Sequence, residues 1–447
     1  MARRLKARCL NLWANGIRVG QWHVAGHGLD TLQYDADWVA SPQGRPLSLS
    51  LPFTPNNAPI VGELVHSYFD NLLPDSDAIR RRLQTRFRTK GTGAFDLLAA
   101  IGRDCVGSLQ LLPEGSAPED VFSIKAQPLN ESEVAQLLRA TVSAPATLGQ
   151  PDTLDDDFRT SIAGAQEKTA LLWHQGRWCR PLGATPTTHI FKLPLGLVGN
   201  RQADMRSSVE NEWLCAQILK AFGLPVAACE IAQFEDQKVL VVERFDRRLS
   251  DRGYWLRLPQ EDFCQVTGTP PSAKYEADGG PGIVDIASVL QQSEARERDL
   301  ATLLKAQLLF WAMAATDGHA KNFSVFLLAG GRYQMTPLYD VLSAWPVTGR
   351  GPRQLDANRL KLAMAVKGKN THYRIKDIQR RHFNHMARLC GWGADMETLI
   401  ESVIDPLPGV LKAVQAKLPD DFPDDVFSAV AAGMADAVRK LARMPAA

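Results

Sequence analysis

Cysteine is sparse and unordered in this 447-residue chain. Its seven cysteines, at positions 9, 105, 179, 215, 229, 264 and 390, are odd in number, widely scattered and never spaced as a CxxC pair or a Cys/His metal set. That argues against a disulfide framework and a thiolate metal module, and for reduced thiols in a cytoplasmic setting. Long apolar runs are missing as well: no stretch of 18 apolar residues occurs. The basic start Met1-Ala-Arg-Arg-Leu-Lys-Ala-Arg8 is not followed by an apolar core of signal-peptide length. Neither membrane spanning nor secretion is expected. Charge of one sign is also lacking, since 51 Lys and Arg face 49 Asp and Glu for a net of +2. Any affinity for nucleic acid must then come from a local basic patch. No repeat or low-complexity tract is visible.

What is present is the composition of a globular protein, 45% apolar and 22% charged with both signs interspersed. Residues 8–25 alternate around Asn15-Gly16, the signature of an antiparallel hairpin. Leu47-Ser-Leu-Ser-Leu51 alternates strictly and is expected to be a strand. A helix carrying Ile79 to Leu83 is expected to start at Asp75 or Ser76, a second short helix covers Phe95–Ile101, and Val106–Leu112 returns to strand. Residues 114–157 are rich in Pro, Ala, Ser and acids, hold a helix near 131–140 and close on Asp155-Asp-Asp157. This stretch is read as the border between a first domain, 1–150, and a second, 151–445.

The second domain opens with strands at Thr169–Trp173, Arg177–Cys179, His189–Leu193 and Lys238–Glu243, with a helix from Glu210 to Phe222 stopped by Gly223 and Pro225. Beyond 283 it is mainly helical, apart from a hairpin at 323–335 turned by Gly330-Gly331. Strands first and helices later predict a two-lobed α+β unit, with strands at 158–245 and a helical lobe at 283–445.

The chemistry concentrates in Asp317-Gly-His-Ala-Lys-Asn322, after the apolar helix Leu303–Ala315. Asp with Asn five residues on is the spacing of a phosphotransfer catalytic loop. There Asp317 would orient a substrate hydroxyl and accept its proton, and Asn322 would offer a neutral oxygen to a divalent metal. Lys321 or His319 would balance charge on the moving phosphoryl group. Asp340, after the hairpin, is the candidate anionic metal ligand; Mg²⁺ needs few protein oxygens when phosphate and water supply the rest. Lys192 on a strand and Glu212 on a helix have about the separation of a kinase lysine–glutamate pair. Ala163-Gly164-Ala165-Gln166 is small enough to bring backbone N–H groups against phosphate, with Lys168 adding charge. Taken alone, that stretch also reads as an ordinary hairpin loop. Glu243-Arg244-Phe245, just past a buried strand, could offer a backbone C=O and N–H to adenine.

Longer motifs carry a resemblance. Ser161-Ile-Ala-Gly-Ala-Gln-Glu-Lys-Thr169, Val242-Glu-Arg-Phe-Asp-Arg247, Leu258-Pro-Gln-Glu-Asp262, Lys274-Tyr-Glu-Ala-Asp-Gly-Gly-Pro-Gly282 and Thr316-Asp-Gly-His-Ala-Lys-Asn-Phe-Ser324 resemble the HipA family. So do Arg45-Pro-Leu-Ser-Leu-Ser-Leu51, Phe69-Asp-Asn-Leu-Leu-Pro-Asp75 and Ile101-Gly-Arg-Asp104 in the first domain.

The resemblance implies a protein-kinase-like two-lobed domain preceded by an N-terminal α/β subdomain with antiparallel strands. It also implies an ATP- and Mg²⁺-dependent serine/threonine kinase acting as the toxin of a toxin–antitoxin pair. By motif it implies Asp317 as base, Asn322 and Asp340 as metal ligands, and Lys168 and Lys192 on phosphate. Glu243 and Phe245 fall at the adenine hinge with Arg244 between them, and Gln260, His319, Tyr339 and the loop through Glu167 fall around the nucleotide. Ser161 matches a serine that such kinases phosphorylate on themselves. The implied partners are a helix-turn-helix antitoxin dimer, operator DNA through that complex, and glutamyl-tRNA synthetase as protein substrate. No G-x-G-x-x-G loop and no Asp-Phe-Gly occur, unlike a eukaryotic signalling kinase.

A small-molecule kinase of the aminoglycoside or choline type shares the Asp…Asn and Asp pattern, and a non-catalytic corepressor is the alternative from another class. Finally, Lys367, Lys369, Arg374, Lys376, Arg380, Arg381 and Arg388 face the single acid Asp377. This local basic patch reads either as a solvated face or as a partner surface, with Arg381 and Arg388 as candidate DNA contacts.

Overall fold

The structure is a computed structural model that describes residues 8–25, 29–142, 166–199 and 201–446. Its first unit is built on a five-stranded antiparallel sheet in the order Ile60–Val61, Asp30–Tyr34, Ile17–Val24, Arg8–Ala14, Leu109–Pro113. The expected hairpin is there, with Asn15 and Gly16 both at positive φ, as a tight turn matching strand twist requires. Helices Glu63–Asp70 and Ala94–Ile101 cover one face, and Trp22 stacks on Phe69 at 3.9 Å between ring centroids. Ser76 caps the helix Asp77–Phe87 by accepting from the Ile79 N–H.

Leu47–Leu51 is not a strand. Ser48 and Leu51 are fully buried in a turn, where Ser48 Oγ accepts from the Ser50 N–H and both serine hydroxyls donate to the Gln265 carbonyl. Serine side chains competing for backbone partners won over a period-two pattern.

The second sheet has six antiparallel strands in the order Cys229–Phe234, Gln237–Glu243, His189–Lys192, Lys168–His174, Arg177–Pro181, Ala126–Pro128. Packing therefore divides the chain earlier than the expected border at 150. The strand Ala126–Pro128 pairs with Arg177–Pro181, and the helix Glu131–Val142 buries Val134 and Leu138 with Phe191 and Val241.

The remaining lobe surrounds the helix Arg296–Met313, buried on nearly all sides beyond its first turn. Around it stand Ile283–Leu290, Arg380–Leu389, Glu397–Ile404, Leu407–Gln415 and Asp424–Arg443. The hairpin Ser324–Leu327 with Tyr333–Met335 is found as expected, with Gly330 and Gly331 at φ 74°. Another hairpin, Lys361–Lys367 with Thr371–Arg374, was not foreseen. Within the basic stretch Ile375, Ile378, Phe383 and Met386 are buried, whereas Leu389 is 49% exposed. All seven cysteines are free, and no described helix is long and apolar enough to cross a membrane.

Candidate active site

A cleft between the second sheet and the helical lobe collects most of the singled-out residues. Lys168 and Lys192 are register partners on neighbouring antiparallel strands, so both side chains leave the same face. Lys192 Nζ donates to Glu212 Oε1 at 2.5 Å and to Asp340 Oδ1 at 2.5 Å. The helix Ser208–Ala221 supplies Glu212, and its neighbour Asn211 donates to the Ser343 carbonyl and accepts from the Ser343 N–H. One helix turn thus holds the strand lysine and the segment just past Asp340 together. Asp340 itself sits at φ 61°, a left-handed backbone that a non-glycine residue adopts at a cost of roughly 1–3 kcal/mol.

Two carboxylates share the Lys192 ammonium, and the balance is uneven. For Asp340, burial pushes upward, but Lys192 and then Lys168 outweigh it and hold the carboxyl well below the usual range. For Glu212, burial dominates and, with Asp340's charge added against the pull of Lys192, pushes it up to about 7. Burial would lower Lys192, yet Asp340 and Glu212 hold its ammonium above the ordinary lysine value. Lys168 goes the other way, lowered to about 8 by burial first, with Lys192 adding to that against Asp340.

The sequence Asp317-Gly-His-Ala-Lys-Asn322 folds as a loop and a short 3-10 turn at Ala320–Asn322. A side chain at Gly318 would strike the Phe310 ring at 2.6 Å, so glycine lets the loop lie against the central helix. Asp317 is exposed at the cleft, and its Oδ1 accepts from the Tyr275 hydroxyl at 2.7 Å. Asn322 Nδ2 donates to the Asp340 carbonyl at 3.0 Å, and both residues line the cleft. His319 is 5% exposed with Nδ1 unpartnered, and burial lowers it, so the ring is neutral near pH 7 and carries no charge to balance. Gln260 also lines the cleft, with a buried, unpartnered Oε1.

Three expected site residues bond elsewhere through their side chains. Lys321 spends its ammonium on Asp262 Oδ2, Asn71 Oδ1 and the Asn71 carbonyl at 2.9, 2.7 and 3.0 Å, leaving no donor for a phosphoryl group. The Arg244 guanidinium points into a buried network with Asp104, Asp246 and Thr187, its backbone N–H donates to the Thr188 carbonyl, and the residue remains among those lining the cleft. Glu167 pairs with Arg82 on the helix Asp77–Phe87 and is not among the cleft residues. Gln166 lies at the cleft, its amide donating to the Leu193 carbonyl. Phe245 and Tyr339 form an aromatic wall, 5.7 Å between centroids, beside Ile190 and Val242. The Tyr339 hydroxyl is spent on the Lys321 carbonyl at 2.8 Å and on Ser324. Ser161, Ala163, Gly164 and Ala165 lie outside the described residues.

Sequence reasoning assigned no role to Asn71, Asp75, Asp262, Lys274 or Tyr275, all at or beside this cleft. The signal was available, because each lies in one of the motifs that carry the resemblance. Asp262 shows why: with Gln265 it forms a capping box at the helix Phe263–Thr267, and its second oxygen takes Lys321. Arg381 and Arg388, seven residues apart and so on one helix face, border a separate concavity with Lys369 and His372.

The donor set suits a magnesium-bound nucleoside triphosphate. Two ammonium groups can face phosphate, a carboxylate and an amide oxygen can face a hard cation, and an orphan acceptor lies near an apolar wall. No group of three His, Cys, Asp or Glu side chains among the described residues could hold a metal alone, so a cation here would depend on phosphate oxygens.

Two family models match the chain, HipA N-terminal domain over residues 10–112 and HipA-like C-terminal domain over residues 160–411. The protein Y4mE of Sinorhizobium fredii is 31% identical over 97% of this chain and 99% of its own length. Serine/threonine-protein kinase toxin HipA of Shewanella oneidensis is 28% identical over 70% of this chain and 69% of its own. Among solved structures, a chain of the Shewanella oneidensis MR-1 complex of HipA, HipB and operator DNA superposes with a TM-score of 0.77 at 22% identity, covering 97% of each chain. That likeness establishes the protein-kinase-like fold.

Proposed function

The chain belongs to the HipA family, and from that premise we propose that it is an ATP-dependent serine/threonine protein kinase acting as the toxin of a HipA/HipB-type pair. The observation that carries the reading is Lys192 held between Glu212 and Asp340, with Asn322 bonded to the Asp340 backbone and Asp317 at the same cleft.

Bound ATP with Mg²⁺ would supply the phosphoryl group and the charge neutralisation that phosphoryl transfer needs. Lys168 and Lys192 would hold the phosphates, while Asp340 and the Asn322 amide oxygen would hold the cation. The Glu243 carbonyl and Phe245 N–H would meet the base, flanked by Ile190, Val242 and Tyr339, and the unpartnered atoms of Gln260 and His319 would be available to the nucleotide. Asp317 orients the acceptor hydroxyl and takes its proton. Lys321 acts at a distance, fixing the catalytic loop rather than touching the phosphoryl group.

The same reading makes glutamyl-tRNA synthetase the protein substrate and Ser161 a site of self-phosphorylation. A phosphate there would place close to two negative charges beside the nucleotide loop. It makes a helix-turn-helix HipB-like dimer the partner, with operator DNA reached through that complex. The relative solved together with HipB and its operator supports this. Arg381 and Arg388 are the proposed DNA contacts, and the cytoplasm is the proposed location. The deciding experiment follows radiolabel from ATP to glutamyl-tRNA synthetase. Asp317→Ala is expected to abolish transfer and growth arrest with an unchanged melting temperature, because an exposed loop carboxylate adds little to the core. Undiminished transfer would overturn the assignment.

A further inference from the structure

Beyond carrying the resemblance, the motif Lys274-Tyr-Glu-Ala-Asp-Gly-Gly-Pro-Gly282 forms a tightly built segment against the catalytic loop. Its middle is staked by Glu276, whose Oε2 accepts from the Ala365 N–H at 2.6 Å and whose Oε1 meets Lys367 Nζ at 2.5 Å. A Cβ at Gly280 would fall 2.1 Å from the Ala273 carbonyl, and one at Gly282 would fall 2.5 Å from the Glu276 carboxylate. Glycine at both positions lets the segment fold back on itself, fixing the residues at its start.

Those residues are Lys274 and Tyr275. Lys274 Nζ pairs with Asp75 Oδ2 at 2.8 Å, and both side chains are largely buried. Asp75 ends Phe69-Asp-Asn-Leu-Leu-Pro-Asp75, so this stake comes from the first unit of the molecule. Burial alone would raise Asp75, but Lys321 and Lys274 outweigh it and keep the carboxyl ionised. Tyr275 then presents its ring edge-on to His319, 5.2 Å between centroids, and its hydroxyl to Asp317 Oδ1. Burial first, then the Asp317 charge, raises the phenol, so it stays a protonated donor.

We infer that Tyr275 is a positioning residue for Asp317, and that Asp75 of the first unit fixes Tyr275 through Lys274. An aspartate exposed at a cleft mouth would otherwise turn freely about χ1 and χ2. A hydrogen bond to one oxygen holds the carboxylate plane and leaves Oδ2 to meet the acceptor hydroxyl. Orientation of this kind is worth a large part of a transfer rate, because a small misplacement of a reacting group is costly. The first unit therefore takes part in the chemistry through the orientation of Asp317. This inference rests on Asp317 being the base.

The test uses the full chain and its own labelling by radioactive ATP, in single turnover at saturating Mg²⁺ and ATP. Tyr275→Phe keeps the ring and removes the hydroxyl. It is expected to slow transfer roughly tenfold, the effect of one hydrogen bond to a charged group, with ATP affinity and melting temperature unchanged. Asp75→Asn is expected to slow transfer in the same direction, and the Asp75→Asn, Tyr275→Phe double variant to be no slower than Tyr275→Phe alone. A wild-type rate in Tyr275→Phe, a parallel loss of ATP affinity, or full additivity of the two changes would each overturn the inference. A faster Tyr275→Phe chain would do so too, by making the contact a block. Asp317→Ala run alongside separates the two levels. If it labels normally, the base assignment itself fails, whereas a dead Asp317→Ala beside a normal Tyr275→Phe removes only the positioning role.

Discussion

Lys168 and Lys192 leave neighbouring strands side by side, yet their surroundings drive them apart. Lys192 has two carboxylates and stays charged; Lys168 is lowered to about 8 from the usual 10.5. The unliganded fold therefore tolerates neutral Lys168 better than the unfolded chain does, and its contribution to stability improves as pH rises from about 8 towards 10.5. Phosphate reverses the preference, because an anion favours the ammonium. ATP binding near pH 8 is expected to take up a proton, and affinity to fall between pH 7 and 9. Calorimetry in buffers of different ionisation enthalpy measures the uptake, and Lys168→Met is expected to abolish it. Affinity flat across that range would leave phosphate binding to Lys192 alone.

The hairpin Ser324–Leu327 with Tyr333–Met335 is the element that makes a site of residues 18 apart. Tight glycine turns return the chain so that the Asp340 carbonyl accepts from Asn322, while the helix Ser208–Ala221 grips the strand lysine and Ser343 from the other side. Asn322→Ala removes the proposed cation ligand and the bond to the Asp340 carbonyl. Turnover is expected to need several-fold more Mg²⁺ and to remain at least tenfold low at saturation, since each oxygen ligand neutralises transferring charge. Rates measured across a magnesium titration check this; wild-type rates at limiting Mg²⁺ would remove Asn322 from the metal site.

Across the whole molecule, one buried polar network joins the first unit to the hinge. Asp104 accepts from Arg247, Arg257 and Arg244 and from both the N–H and hydroxyl of Thr187. Asp246 accepts from Arg244, Arg247 and the Gly107 N–H. Burial would raise Asp104, but the three guanidiniums outweigh it and hold it far below the usual range. Asp104→Ala strands three buried cations against one carboxylate and is expected to cost about 3–5 kcal/mol, read by denaturant unfolding. The stability that Asp104 lends is complete above the ordinary carboxylate value near 4 and is lost as pH falls towards its folded value. The variant is therefore expected to lose stability less steeply than the wild type in acid. A cost below about 1 kcal/mol would mean that the Asp104 network adds little to the contact between the two units.

The amino-acid sequence by itself determined what local patterning and spacing can determine. The Asn15-Gly16 hairpin, the strand bearing Lys192 and the one that begins beside Lys168, the Ser208–Ala221 helix, the central helix and the order of cleft residues from Lys168 to Asp340 were all legible. Each rests on turn chemistry, periodicity or a motif within one stretch of chain. What only the tertiary structure decided was where polar side chains spend their bonds. Ser48 and Ser50 turned an alternating run into a turn by bonding Gln265, more than 200 positions away. The Lys321 ammonium and the Arg244 guanidinium are spent on partners in the first unit, Asn71 and Asp104. Tyr275 meets Asp317 from 42 residues away. A buried donor must be satisfied by whichever acceptor the folded chain brings within about 3 Å, and nothing in the local sequence says which one that is.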